Sequence, residues 1–150
     1  MWWEEVGKKS KLRTYRIFKN PRLRPEKYLL TASYYWGRTL MTDLRIGTNR
    51  LEIERGRWEK KKAEDRLCRQ CSLNEVEDEY HFVTRCPKLA VLRSALFERI
   101  RILSNEKWKL SERSTEQQFL LLMNGTGDSF EGQIFNVFQG YLVRAFRSRE

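Results

Sequence analysis

Cys68-Arg69-Gln70-Cys71, followed by Ser72-Leu73-Asn74-Glu75-Val76-Glu77-Asp78-Glu79-Tyr80-His81-Phe82-Val83-Thr84-Arg85-Cys86-Pro87, contains every cysteine of the chain and its sole histidine. The spacing is Cys-x2-Cys-x9-His-x4-Cys. A Cys-x2-Cys pair lets two thiolates grip one ion from a tight turn. His81 and Cys86 lie about one helical turn apart, so the second pair is expected from a helix facing that turn. Glu77-Asp78-Glu79 would open this helix, as acids at the positive end of its dipole. Three thiolates and one imidazole suit a closed, four-coordinate zinc ion. Four protein ligands leave no place for water, so Cys68, Cys71, His81 and Cys86 are expected to form a structural site. The alternative is three buried free cysteines and a core histidine, all in ligand spacing by chance. An odd number of cysteines argues against a disulfide framework.

Little of residues 66–87 is apolar enough to fold unaided. Metal binding is therefore expected to supply much of the local folding energy, with Phe82 and Val83 packing on Leu89 or Leu92. Downstream, Leu89, Leu92, Leu96, Ile100 and Leu103 form an amphipathic stripe. Ser114 with Gln117, and Asp128 with Glu131, read as capping boxes on either side of the Asn124-Gly125-Thr126-Gly127 turn. The second opens a helix to about Arg147, with Phe130, Ile134, Val137, Phe138, Tyr141 and Ala145 on one face. Its last turn is basic, as the helix dipole favours.

Upstream, a short helix is expected over Lys11–Asn20 after a loose first ten residues. A second is expected from Pro25 to about Ile46, with Leu29, Ala32, Trp36, Leu40 and Leu44 as its apolar face and Gly47 as its stop. Leu51 and Ile53 alternate with charges like a short strand, and Gly56 breaks that pattern. The expected fold is mostly α: a helical domain with a small irregular CCHC zinc unit. It divides into a basic N-terminal helical segment (1–47), a zinc module (48–104) and C-terminal helices (105–150) on the same domain.

Charge sharpens that division. Residues 1–62 hold 17 Lys/Arg and 7 Asp/Glu, whereas residues 63–150 hold 13 of each, so the net charge of +10 lies wholly upstream of the cysteines. Such asymmetry points to a polyanion, with mere solubility as the alternative. Arg50, Arg55, Arg57, Lys60, Lys61, Lys62, Arg66 and Arg69 are the candidate phosphate contacts. Trp58 either stacks on a base or sits in the core. The longest apolar run, Phe119–Met123, is too short to span a bilayer, and the start lacks signal-peptide character. An intracellular protein, nuclear or cytoplasmic, is expected.

Three stretches together resemble a known family. They are Leu51-Glu52-Ile53-Glu54-Arg55-Gly56-Arg57-Trp58, Arg66-Leu67-Cys68-Arg69-Gln70-Cys71, and Val76-Glu77-Asp78-Glu79-Tyr80-His81-Phe82 through Cys86-Pro87. Their order is similar to the zinc-binding C-terminal region of reverse transcriptases from non-LTR (LINE-type) retrotransposons. Lys11-Leu12-Arg13-Thr14-Tyr15 and Glu26-Lys27-Tyr28-Leu29 resemble what precedes that region, so the likeness covers roughly residues 11–100. It implies a zinc module, with Cys68, Cys71, His81 and Cys86 as ligands, that helps such a polymerase hold RNA or DNA. Thr48-Asn49-Arg50 stands where members often carry a histidine, and the polymerase itself is missing.

No catalytic constellation is legible. The four aspartates (Asp43, Asp65, Asp78 and Asp128) are scattered, whereas two-metal nucleotidyl transfer needs clustered carboxylates. His81 is committed to the metal, so no Cys–His or Ser–His–Asp set remains. The chain is expected to be non-enzymatic, with RNA or DNA as partner and no small-molecule substrate or membrane. Two alternatives stay open: a zinc-stabilised scaffold docking a protein through the C-terminal helix, and a retroelement remnant with no selected function.

Overall fold

A computed structural model describes residues 5, 8–18, 25–31 and 35–149 of the chain. Seven α-helices lie among them: α1 (Arg13–Phe18), α2 (Lys27–Thr31), α3 (Tyr35–Ile46), α4 (Glu52–Trp58), α5 (Ala90–Leu103), α6 (Thr115–Asn124) and α7 (Glu131–Arg147). The described residues contain no strand, only an isolated antiparallel bridge between Leu67 and Val76. The fold is mostly helical with a small Cys/His unit, as expected.

α7 is the spine, and α3 and α5 both pack on it. Its buried face is Ile134, Phe135, Phe138, Tyr141, Leu142 and Ala145, with Val137 and Phe130 at the edge. From α5, Leu96 and Ile100 join Leu89 in the same core. All three parts of the chain contribute to that one core: Met41 and Leu44, Phe82 and Val83, Leu122 and Met123. α3 approaches α7 closely because residue 37 is glycine; a Cβ there would lie 2.4 Å from the Cβ of Gln139. Gly47, at φ +72°, ends α3 in a conformation that side-chain-bearing residues rarely adopt.

Several expectations need correction. The inner face of α3 is Gly37, Met41, Leu44 and Arg45, while Leu29 and Trp36 are exposed. Hydrophobic periodicity misplaced the face because an arginine occupies it. Arg45 donates to the Met123 carbonyl (2.7 Å) near the end of α6 and pairs with Glu26 (2.9 Å). Ala32 and the end of the expected Lys11–Asn20 helix, Lys19 and Asn20, lie outside the described residues.

Leu51 and Ile53 are not in a strand. They open α4, and the charges alternating with them, Glu52 and Glu54, are buried too. Gly56 does not break the pattern but lies inside α4, where the Arg66 side chain occupies the space of a Cβ at 2.4 Å.

The caps came out unevenly. Ser114 Oγ accepts from the Gln117 amide (3.2 Å) and caps α6 as read. At α7 the pairing is shifted. Asp128 accepts from the Phe130 amide (3.0 Å), Glu131 accepts from the Gly127 amide (3.0 Å), and the helix begins at Glu131.

Candidate metal centre

The Leu67–Val76 bridge makes the first half of the site. The Cys68 amide donates to the Glu75 carbonyl (2.9 Å) and the Glu77 amide to the Arg66 carbonyl (3.0 Å). Asn74, at φ 56°, lets the chain reverse between them. The second half starts at Asp78, whose carboxylate accepts from the His81 amide at 2.8 Å and caps the next turn.

That turn is not α-helical. Residues His81–Arg85 form one π turn, closed by the Cys86 amide donating to the His81 carbonyl at 2.8 Å. In an α-helix five residues advance about 500°, leaving the two side chains roughly 140° apart. The wider turn brings residues five apart onto one side, which a Cys/His pair at this spacing requires.

Cys68, Cys71, His81 and Cys86 therefore converge, their ligand atoms all within 4.8 Å of one another. They lie close enough to hold a metal ion, and no other such cluster occurs among the described residues. Three of the four are buried and Cys71 is half-buried. Burial raises the pKa of the Cys68 and Cys86 thiols, and Glu77 adds to the effect at Cys68. A cation at the centre would reverse that preference and favour thiolates. The Gln70 amide already points at Cys68 Sγ, at 3.4 Å.

The imidazole is oriented from behind. Arg85 grips Glu75 through Nε at 2.8 Å and through a second guanidinium nitrogen, and with His81 it holds the Glu75 carboxyl down at about 2. An ionised Glu75 only accepts hydrogen bonds, so His81 Nδ1, 2.9 Å away, is the donor. Nε2 faces the thiols, 3.5 Å from Cys71 Sγ, in the arrangement that metal-binding histidines use.

Sequence reasoning missed the acids beneath the site. Glu77 and Glu79 do more than stand at the start of the helical turn; both are buried. Glu77 accepts from the Glu52 amide (3.0 Å) and from Cys68 Sγ (3.2 Å), and pairs with Arg149. Glu79 takes Arg13 and the Asn49 amide group (3.0 Å). The only available signal was the density of acids beside ligands, and it carries no hint of their distant partners.

The candidate nucleic-acid residues separate into three groups. Trp58 is 90% exposed, which rules out its core alternative. It adjoins Lys60, Lys61 and Lys62, all exposed; Lys61 pairs with Glu59 at 2.6 Å. Arg57, Arg66 and Arg69 are tied down internally. Arg66 donates to the carbonyls of Ile53 (2.8 Å) and Lys61 (2.8 Å), Arg57 pairs with Glu54 (3.0 Å), and Arg69 pairs with Glu59 (3.2 Å). Arg50 and Arg55 stand apart, on a groove beside α3 and α7. The apolar face of α7 is core: Phe138 and Tyr141 are fully buried, so it offers no docking surface.

Fold and site thus define a mostly helical domain with one Cys3His cluster able to hold a metal ion. No family model matches the chain, nor does any curated protein or solved structure. No helix among the described residues is long and apolar enough to cross a membrane.

Proposed function

We propose that this chain is a non-catalytic, zinc-stabilised module that binds the backbone of RNA or DNA. Zinc follows from the donor set: three soft sulfurs and one imidazole, with no carboxylate among them, favour it over harder cations. Four protein ligands complete its tetrahedron, which gives the ion a structural role and leaves no open position for a substrate. Free cysteines of this kind suit a reducing, intracellular compartment.

One observation carries the nucleic-acid reading. Trp58, the last residue of α4, and Lys60–Lys62 just beyond it are exposed, and Arg66 ties the Lys61 carbonyl to that of Ile53 in the first turn of α4, so an indole and three ammonium groups are presented from a braced support. The resemblance of residues 11–100 to the zinc region of non-LTR reverse transcriptases agrees with this reading.

Metal analysis and salt-titrated binding to single-stranded RNA and duplex DNA test it together. One zinc per chain is expected, with an affinity that falls more than about tenfold between 50 and 200 mM salt. Exchanging Lys60 and Lys62 for glutamate should abolish most of it. An affinity indifferent to salt, or to those exchanges, would refute the proposal.

A further inference from the structure

We propose that the groove between α3, the 48–55 segment and the C-terminal half of α7 takes unpaired bases of a single-stranded nucleic acid, with Trp36 as the stacking platform. This rests on the nucleic-acid reading above but assigns a second surface, distinct from the one around Trp58 and Lys60–Lys62. The groove encloses about 790 Å³, within the range of sites that hold small organic ligands. Its floor is apolar, formed by Leu40, Val143 and Phe146.

Trp36 stands at the edge, 62% exposed and braced edge-on by Tyr35 at a centroid separation of 5.2 Å. The fold gains little from so exposed an indole. Arg50, Arg55 and Arg147 line the same groove with one acid, Asp43, and Arg55 also pairs with Glu52 at 3.7 Å. Arg149 also reaches it but is engaged by Glu77.

Positive charge around an apolar floor with an aromatic lip matches a strand that offers phosphates and bare bases together. A duplex keeps its bases stacked inside and could use only the arginines. An acidic peptide would satisfy the arginines but leave Trp36 and the floor without a partner.

The polar groups facing the groove are already committed. Asn49 donates to Glu79 (3.0 Å) and accepts from the Leu51 amide (3.1 Å), Thr48 donates to Asp43 (2.6 Å), and Thr39 donates to the Tyr35 carbonyl (3.1 Å). Few groups remain to read base edges, so the site should tolerate any sequence.

The test uses the full, zinc-loaded chain with labelled oligonucleotides of about ten nucleotides, single-stranded or as a blunt duplex. Trp36→Ala should weaken single-strand binding about tenfold, Trp36→Phe should restore most of it, and Arg147→Glu should cost severalfold. Trp36→Ala should leave duplex affinity within about twofold, whereas Arg147→Glu, which removes a phosphate contact open to either substrate, should weaken duplex binding severalfold as well. The Lys60/Lys62 exchange should weaken both substrates.

If the wild type binds single strands and the Trp36 and Arg147 variants bind them equally well, the groove assignment fails while the broader function stands. If the wild type binds no oligonucleotide, both fail. Binding of poly-glutamate that depends on Arg147 but not on Trp36, without oligonucleotide binding, would overturn the proposal in favour of an acidic peptide.

Discussion

The two halves of the core are stabilised by different physics. Around α7 the buried side chains are almost all apolar: Ile134, Phe135, Phe138, Tyr141 and Leu142 against Met41, Leu96 and Ile100. Around the Cys3His unit the buried groups include Glu52, Glu54, Glu77, Glu79 and His81. The first region is stabilised by area removed from water. The second collects negative charge where it is costly and offsets it with arginines from far along the chain and, on our reading, with a cation. A sequence too polar to form a core by burial can still form one if its charges are matched one by one.

The largest expected effect breaks the polar half. Removing the metal by chelation, or substituting Cys86→Ser, should cost several kcal/mol and unfold residues 52–87, because protein ligands contribute folding energy only through the ion. Hydrogen exchange would show protection lost there first, while α5 and α7 remain protected. Simultaneous loss everywhere would mean that the two halves form one cooperative unit.

Phe138→Ala should destabilise the apolar half by about 3–5 kcal/mol, read from denaturant midpoints, and leave metal stoichiometry unchanged. Arg149→Ala should cost roughly 3 kcal/mol, since it strands the buried Glu77 carboxylate, and should also weaken metal binding. If metal affinity survives that substitution, Glu77 does not couple the two regions.

A smaller effect depends on pH. Asp128 sits in a partly desolvated position, but hydrogen bonds from Thr126, Trp108, Lys107 and the Phe130 amide hold its carboxyl well below the usual range. A depressed folded value means that its stabilisation is complete above about pH 4 and is lost as pH falls through that lower value. Asp128→Asn should therefore cost about 1–2 kcal/mol at pH 7, and the gap to wild type should close in acid. A gap that widened with acid would contradict this. Trp58→Ala, at the small end, should change stability by less than about 0.5 kcal/mol.

How much of this was legible in the sequence follows the same division. The α7 face and the Leu89–Leu103 stripe were readable because apolar burial leaves a period of three and four. The convergence of Cys68, Cys71, His81 and Cys86 was readable because a site able to hold a metal restricts residue type and spacing. Glu52 and Glu54 were misread as the solvent side of a strand, since nothing in a local pattern marks a carboxylate as buried. The partners that bury them, Arg13 and Arg57 for Glu54, come partly from another element. The π turn was hidden too, because spacing alone does not distinguish one helical turn from a wider one.

The links from Glu77 to Arg149 and from Glu79 to Arg13 span 72 and 66 residues, whereas all four metal ligands fall between residues 68 and 86. Closing a loop that short costs about 1 kcal/mol less in chain entropy than closing those long ones. With a metal bound as proposed, its capture is the more local of these closures and is expected to come first. Once the turn is set, it displays two fixed anions to which remote arginines anneal later. On this view the ion acts as a timer as well as a brace, and refolding begun with zinc present should outpace refolding to which zinc is added late.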